Sequence, residues 1–117
     1  MISLKQLCAT VREDPDHWYT RLMDFVDDFR FYKDLKSLEE PFNLTGDRLE
    51  AMLASTAGQL CGELGVAPPP WILEVPACKD PWFPSGLESL KAIALVESPA
   101  HFRVRKVFVM ENFLSRV

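Results

Sequence analysis

Six of the nine prolines fall between Gly65 and Gly86, in the stretch GVAPPPWILEVPACKDPWFPSG. Each proline fixes φ and removes a backbone donor, so no helix or ladder strand of ordinary length can run through this stretch. Only WILEV, Trp71 to Val75, has room for one helical turn or a short extended piece. Trp71, Ile72, Leu73, Trp82 and Phe83 are too apolar to be left in water. The segment is therefore expected to fold back onto a core supplied by the chain on either side.

That core is written at helical spacing. Ser3 and Gln6 form a capping-box pattern, and Leu4, Leu7, Cys8 and Val11 follow on one face. Asp14-Pro15 ends this run and opens a second helix over about 15–33, with Asp14 as N-cap and Pro15 in the first turn. Trp18, Leu22, Phe25, Phe29 and Tyr32 form its stripe, widened by Val26, opposite Arg21, Asp24, Asp27 and Asp28. KDLKSLEEPF adds a short helical turn before Pro41. A third helix, about 46–64, is expected to start from Thr45 as N-cap. Its stripe is Leu49, Met52, Leu53, Thr56, Leu60 and Leu64. Ala51, Ala54, Ala57 and Gly58 leave room for a neighbouring helix, and Gly65 stands where a left-handed C-cap is wanted.

A fourth helix, about 86–97, follows the capping-box pair Ser85 and Glu88. Leu87, Leu90, Ile93, Ala94 and Val96 make it apolar almost all round, which predicts a central, buried position. Ser98-Pro99 restarts the chain as N-cap and first-turn proline. Phe102 to Val109 fits neither period cleanly. A β-branched run without a partner strand does not build a sheet, so a short helix from Pro99 and an extended connector through Val107–Val109 are expected. Met110, Phe113, Leu114 and Val117 predict a helical end. The fold class is therefore all-α: one domain over residues 1–117, a compact bundle of four to six helices with the proline-rich loop packed on it.

Composition narrows the function classes. Apolar residues at 48% and charged residues at 26% describe an ordinary globular chain. Cys8, Cys61 and Cys78 are odd in number and lack CxxC spacing, against a disulfide framework or a zinc site. No apolar run approaches the roughly 18 residues of a membrane span, and the N-terminus lacks the pattern of a signal peptide. A cytoplasmic protein that does not enter the membrane is expected.

No catalytic constellation stands out. His17 and His101 are far apart in sequence, and no HxxxH, HExxH, GxSxG or phosphate-loop pattern occurs. Asp27-Asp28 and Glu39-Glu40 read as solvated charge. Cys8 and Cys61 lie on or beside apolar stripes, as inert thiols do; Cys78, beside Lys79 in a loop, is the candidate reactive thiolate. The expectation is a non-enzyme with no catalytic residue, no metal and no cofactor.

Charge is segregated. Residues 99–117 carry a net +3 and the preceding 98 residues a net −7, on a chain of −4 overall. Arg103, Arg105, Lys106 and Arg116 thus sit in the one basic segment, among Phe102, Val104, Val107, Phe108 and Val109. Arginine mixed with aromatic side chains is the composition of interface centres. Trp82, Phe83, Phe102, Arg103, Arg105, Lys106 and Arg116 are accordingly the candidate partner-binding residues. A protein partner is expected, and a second copy of the chain stays open. The competing expectation is self-contact, with the basic segment on the chain's own carboxylates and the rings closing the bundle.

Nucleic acid is the alternative partner. QLCGELGVAPPPWILE resembles the middle of a helix-turn-helix, but its prolines leave about one turn for the recognition helix. No Lys or Arg lies between Arg48 and Lys79, so the phosphate contacts that dominate affinity are missing there. The basic C-terminus alone offers few cations for a duplex.

The last 37 residues, from Pro81, carry a further pattern: Trp82-Phe83-Pro84, Glu97-Ser98-Pro99, Phe102-Arg103, Arg105, Phe108-Val109 and Phe113-Leu114-Ser115-Arg116. This WFP…ESP..FR.R..FV…FLSR signature resembles that of small bacterial proteins of unassigned biochemistry. In these it stands alone or behind a Cro-type helix-turn-helix. They are similar to accessory or antitoxin-like members of gene pairs with nucleotidyltransferase-like partners. The resemblance implies a regulatory role without catalysis. The residues ahead of the signature leave no room for a DNA-binding domain, which argues against operator binding.

Overall fold

Helix α1 (Leu4–Glu13) begins as its spacing predicts. The Ser3 hydroxyl accepts the Gln6 N–H at 3.1 Å while the Gln6 side chain accepts the Ser3 N–H at 2.9 Å. Leu4, Leu7, Cys8 and Val11 are its buried face. A 3₁₀ turn, Pro15–His17, leads into α2 (Trp18–Tyr32). Leu22, Phe25, Val26 and Phe29 of the expected stripe are buried, and Met23 joins them; Tyr32 at the end of the helix is exposed. A second 3₁₀ turn, Leu35–Leu38, stops before Pro41 as expected.

Helix α3 (Arg48–Glu63) is the centre of the molecule. Its N-cap is Asp47, whose carboxylate accepts the Leu49 N–H at 3.0 Å, and not Thr45 as expected. Thr45 lies two residues upstream, and its N–H and hydroxyl both donate to Glu50, at 2.6 and 2.7 Å. Buried residues lie all round α3, because its alanines, serine, threonine and glycine let neighbours close on every side. It ends as foreseen: Gly65 has φ +70°, and the Val66 N–H reaches back to the Cys61 carbonyl at 3.0 Å.

The proline-rich stretch folds onto this body. It forms one helical turn, α4 (Pro70–Leu73), and buries Ile72, Val75 and Cys78. The Trp71 indole N–H donates to the Leu38 carbonyl at 2.8 Å. Helix α5 (Glu88–Glu97) and the one-turn α6 (Ala100–Arg103) complete the set, and the described residues contain no β-strand. The computed structural model describes residues 1–86 and 88–115. Leu87, assigned above to the apolar face of the fourth helix, and Arg116 and Val117 lie outside the described residues. The all-α bundle is the observed architecture, with six α-helices among the described residues.

Three local expectations are corrected. Helix α5 is peripheral: Ala94 is buried, but Ile93, Leu95 and Val96 are 42%, 49% and 77% exposed. An apolar pattern shows that a helix has no polar side; it does not show which of two such helices takes the centre. The small side chains of α3 decide that contest. Ser98 is buried and does not cap α6. Its hydroxyl donates to the Val107 carbonyl and accepts the Val109 N–H, at 3.1 and 3.2 Å. Residues 111–114 form turns and not a helix, with Phe113 N–H bonding Met110 and Ser115 N–H bonding Asn112.

Candidate functional site

The basic C-terminal segment is a clasp across the bundle. Helix α6 lies directly on α3, with the His101 ring over Gly58: a Cβ there would meet His101 Nδ1 at 2.7 Å. Beyond α6 the chain turns through 104–106 and then pairs once, in parallel, where Val107 meets the loop at Trp82. Trp82 N–H donates to the Lys106 carbonyl at 2.9 Å, and Phe108 N–H donates to the Trp82 carbonyl at 2.8 Å. The Cys78 N–H donates to the Arg105 carbonyl at 2.9 Å. The end of the described chain is held by Arg30, which donates to the Leu114 carbonyl and pairs with Glu63.

The candidate residues divide between the inside and the surface. Phe102 is 1% exposed, with its ring edge-on to Phe113. Arg105 is 6% exposed and meets no carboxylate among the described residues. Its guanidinium donates to the carbonyls of Ile72 (2.7 Å), His101 (3.2 Å) and Val75 (3.3 Å). It thereby adds a cationic donor to carbonyls at the ends of α4 and α6, a role for cations at helix C-termini. Burial lowers its pKa, yet an arginine stays charged. Arg103 is exposed and does the same for α5, donating to Val96 and Ser98 carbonyls at 2.9 and 3.0 Å.

Trp82 and Phe83 are half-buried. Trp82 meets Trp18 at 6.1 Å between ring centroids, and the Arg48 guanidinium lies 4.6 Å from its own ring centre. Phe83 stacks on Phe108 at 5.3 Å under the Lys91 ammonium. Lys106 is exposed at a left-handed φ of 60°. Arg116 lies outside the described residues. Trp82 and Lys106 therefore meet at the bridge, Arg103 sits at the end of α5, and Phe102 and Arg105 are structural.

Two features of the surface were not read from the sequence. One is the bare apolar side of α5, together with Val104, which follows Arg103 and is 69% exposed. The other is a cleft of about 260 Å³ between the start of α3 and the loop 76–82, lined by Arg48, Cys78, Lys79, Asp80 and Trp82 among others. The cleft had no sequence signal. The helix carried one, since its apolar residues occupy all sides.

All three cysteines are free and buried, and burial raises each thiol pKa. At Cys78, Arg48 and Lys106 pull the other way without overcoming burial. His17 is on the surface, raised by its hydrogen bond to Asp14 and by that carboxylate's charge. His101 is lowered by burial and by Arg105. No group of three His, Cys, Asp or Glu side chains suited to a metal occurs among the described residues, and no described helix is long and apolar enough to cross a membrane. Comparison with protein-family models, with curated proteins and with solved structures found no match.

Proposed function

We propose that this is a non-enzymatic interaction protein whose protein partner docks on the outer side of α5 and on Val104. One observation carries the reading: Ile93, Leu95, Val96 and Val104 are large apolar side chains left 42–77% exposed on neighbouring elements. A surface helix ordinarily turns a polar side to water, and a contiguous apolar patch marks an interaction site. An exposed helix presenting apolar side chains matches the helix-in-groove mode of recognition. Arg103, fixed at the end of α5 by two carbonyls, supplies a cation at the rim. The resemblance of the C-terminal third supports a regulatory role, as the antitoxin-like half of a gene pair.

The test is affinity capture with three immobilised proteins: the native chain, Leu95→Ser/Val96→Ser and Arg103→Ala. The expected outcome is a protein retained by the native chain, lost from the α5 variant and weakened by Arg103→Ala. Equal retention by the native chain and the α5 variant overturns the reading. So does a salt-sensitive gel shift with RNA or DNA in place of protein capture, which would assign the basic segment to nucleic acid instead.

A further inference from the structure

We propose that Arg48 and the cleft beside it form an oxyanion-binding site, separate from the α5 surface and not dependent on that reading. Six arginines lie among the described residues. Arg12 and Arg30 pair with Glu50 and Glu63, and Arg21 lies 3.8 Å from Asp14. Arg103 and Arg105 donate to backbone carbonyls. Arg48 alone among these six has no hydrogen bond or carboxylate within the described protein, yet it is not loose. Its guanidinium lies over the Trp82 ring, 4.6 Å from the ring centre.

The ring contact positions the guanidinium, and its N–H donors have no partner among the described residues. That geometry suits bidentate recognition of a carboxylate or phosphate. Trp82 is itself held in place, since its backbone N–H and C=O are both engaged with residues 106 and 108. Lys79 lines the same cleft and has no carboxylate partner among the described residues. Lys106 is close enough for its charge to act on the Cys78 thiol. Three carboxylates also line the cleft: Asp47, Glu50 and Asp80. Glu50 is already paired with Arg12, so Asp47, which caps α3, and Asp80 are the charges an anion beside Arg48 and Lys79 has to tolerate. Ala51, Pro76 and Pro81 supply an apolar wall. At about 260 Å³ the space takes a small carboxylate- or phosphate-bearing group and not a large cofactor.

The experiment is a two-dimensional NMR titration of the full chain with sodium phosphate and, separately, sodium acetate, against sodium chloride at matched ionic strength. The Trp82 indole and the Cys78 amide are expected to shift saturably with at least one oxyanion. In Arg48→Lys, which keeps the charge but loses the planar fork, the same shifts are expected to need at least tenfold more anion. A spectrum of that variant unchanged away from the cleft shows that it is folded. Saturation by phosphate alone assigns a phosphate-bearing ligand, and saturation by acetate assigns a carboxylate. Shifts no larger than those with chloride, or undiminished in Arg48→Lys, overturn the proposal.

Discussion

Glu50 shows how a single charge organises the entry to the core. It is 2% exposed and sits in the first turn of α3. Its carboxylate accepts from Arg12 at 2.7 Å, from the Thr45 N–H and hydroxyl, and from the Gly46 N–H at 3.1 Å. Arg12 also donates to the Asn43 carbonyl at 2.9 Å, so one carboxylate and one guanidinium tie α1, the 43–46 loop and α3 together. Removing a buried ionic partner strands the groups it served. Glu50→Ala is therefore expected to cost about 3 kcal/mol, read as a lower urea midpoint with an unchanged slope. Arg12→Ala should cost less, because its side chain is 32% exposed and water replaces part of what is lost.

At the scale of the element, the packing of α6 on α3 is set by two glycines one turn apart. A Cβ at Gly58 would come 2.7 Å from His101 Nδ1 and 3.2 Å from its Cγ, close to the ring's attachment, where the side chain has little freedom to yield. A Cβ at Gly62 would meet the ring at an ordinary 3.5 Å. Alanine gains about 1 kcal/mol over glycine in a helix interior. Gly62→Ala should thus raise the melting temperature and Gly58→Ala lower it, with His101→Ala recovering part of the loss in the double variant. The same ring makes this contact pH-dependent. His101 is held below its unfolded value of about 6.5 by burial and by Arg105, so the fold favours the neutral ring. Its contribution is complete above that value and is lost as pH falls below it. His17 is raised by Asp14 and acts in the opposite sense. In a His17→Asn background, thermal melts should show stability falling from pH 7 to pH 5, and the added His101→Asn change should flatten that fall. These contacts also mark what a sequence can convey. The Ser3 and Gln6 box and the Gly65 stop are local devices, complete within a few residues, and both were legible. The partners of Arg105 are three backbone carbonyls that become available only once α4 and α6 have ended beside it, so no spacing announces them.

For the whole molecule, the question is which apolar surface the fold uses and which it leaves. The basic segment was open to two readings: pairing with the chain's own carboxylates or with another molecule's. Within the described residues Arg103 and Arg105 meet no carboxylate; both bind backbone carbonyls near helix ends. The surface left over is instead apolar and lies on α5, a helix whose pattern predicted the centre. Small residues on α3 took that position, a competition between two distant segments that periodicity within either one does not reveal. The central claim is that the outer side of α5 is not needed by the fold. Equilibrium urea unfolding of Leu95→Ser/Val96→Ser tests it most directly. Surface substitutions away from special features stay within about 0.5 kcal/mol each, so a midpoint close to that of the native chain is predicted. A loss of about 2 kcal/mol or more, the scale of removing buried side chains, would place α5 in the core and contradict the account.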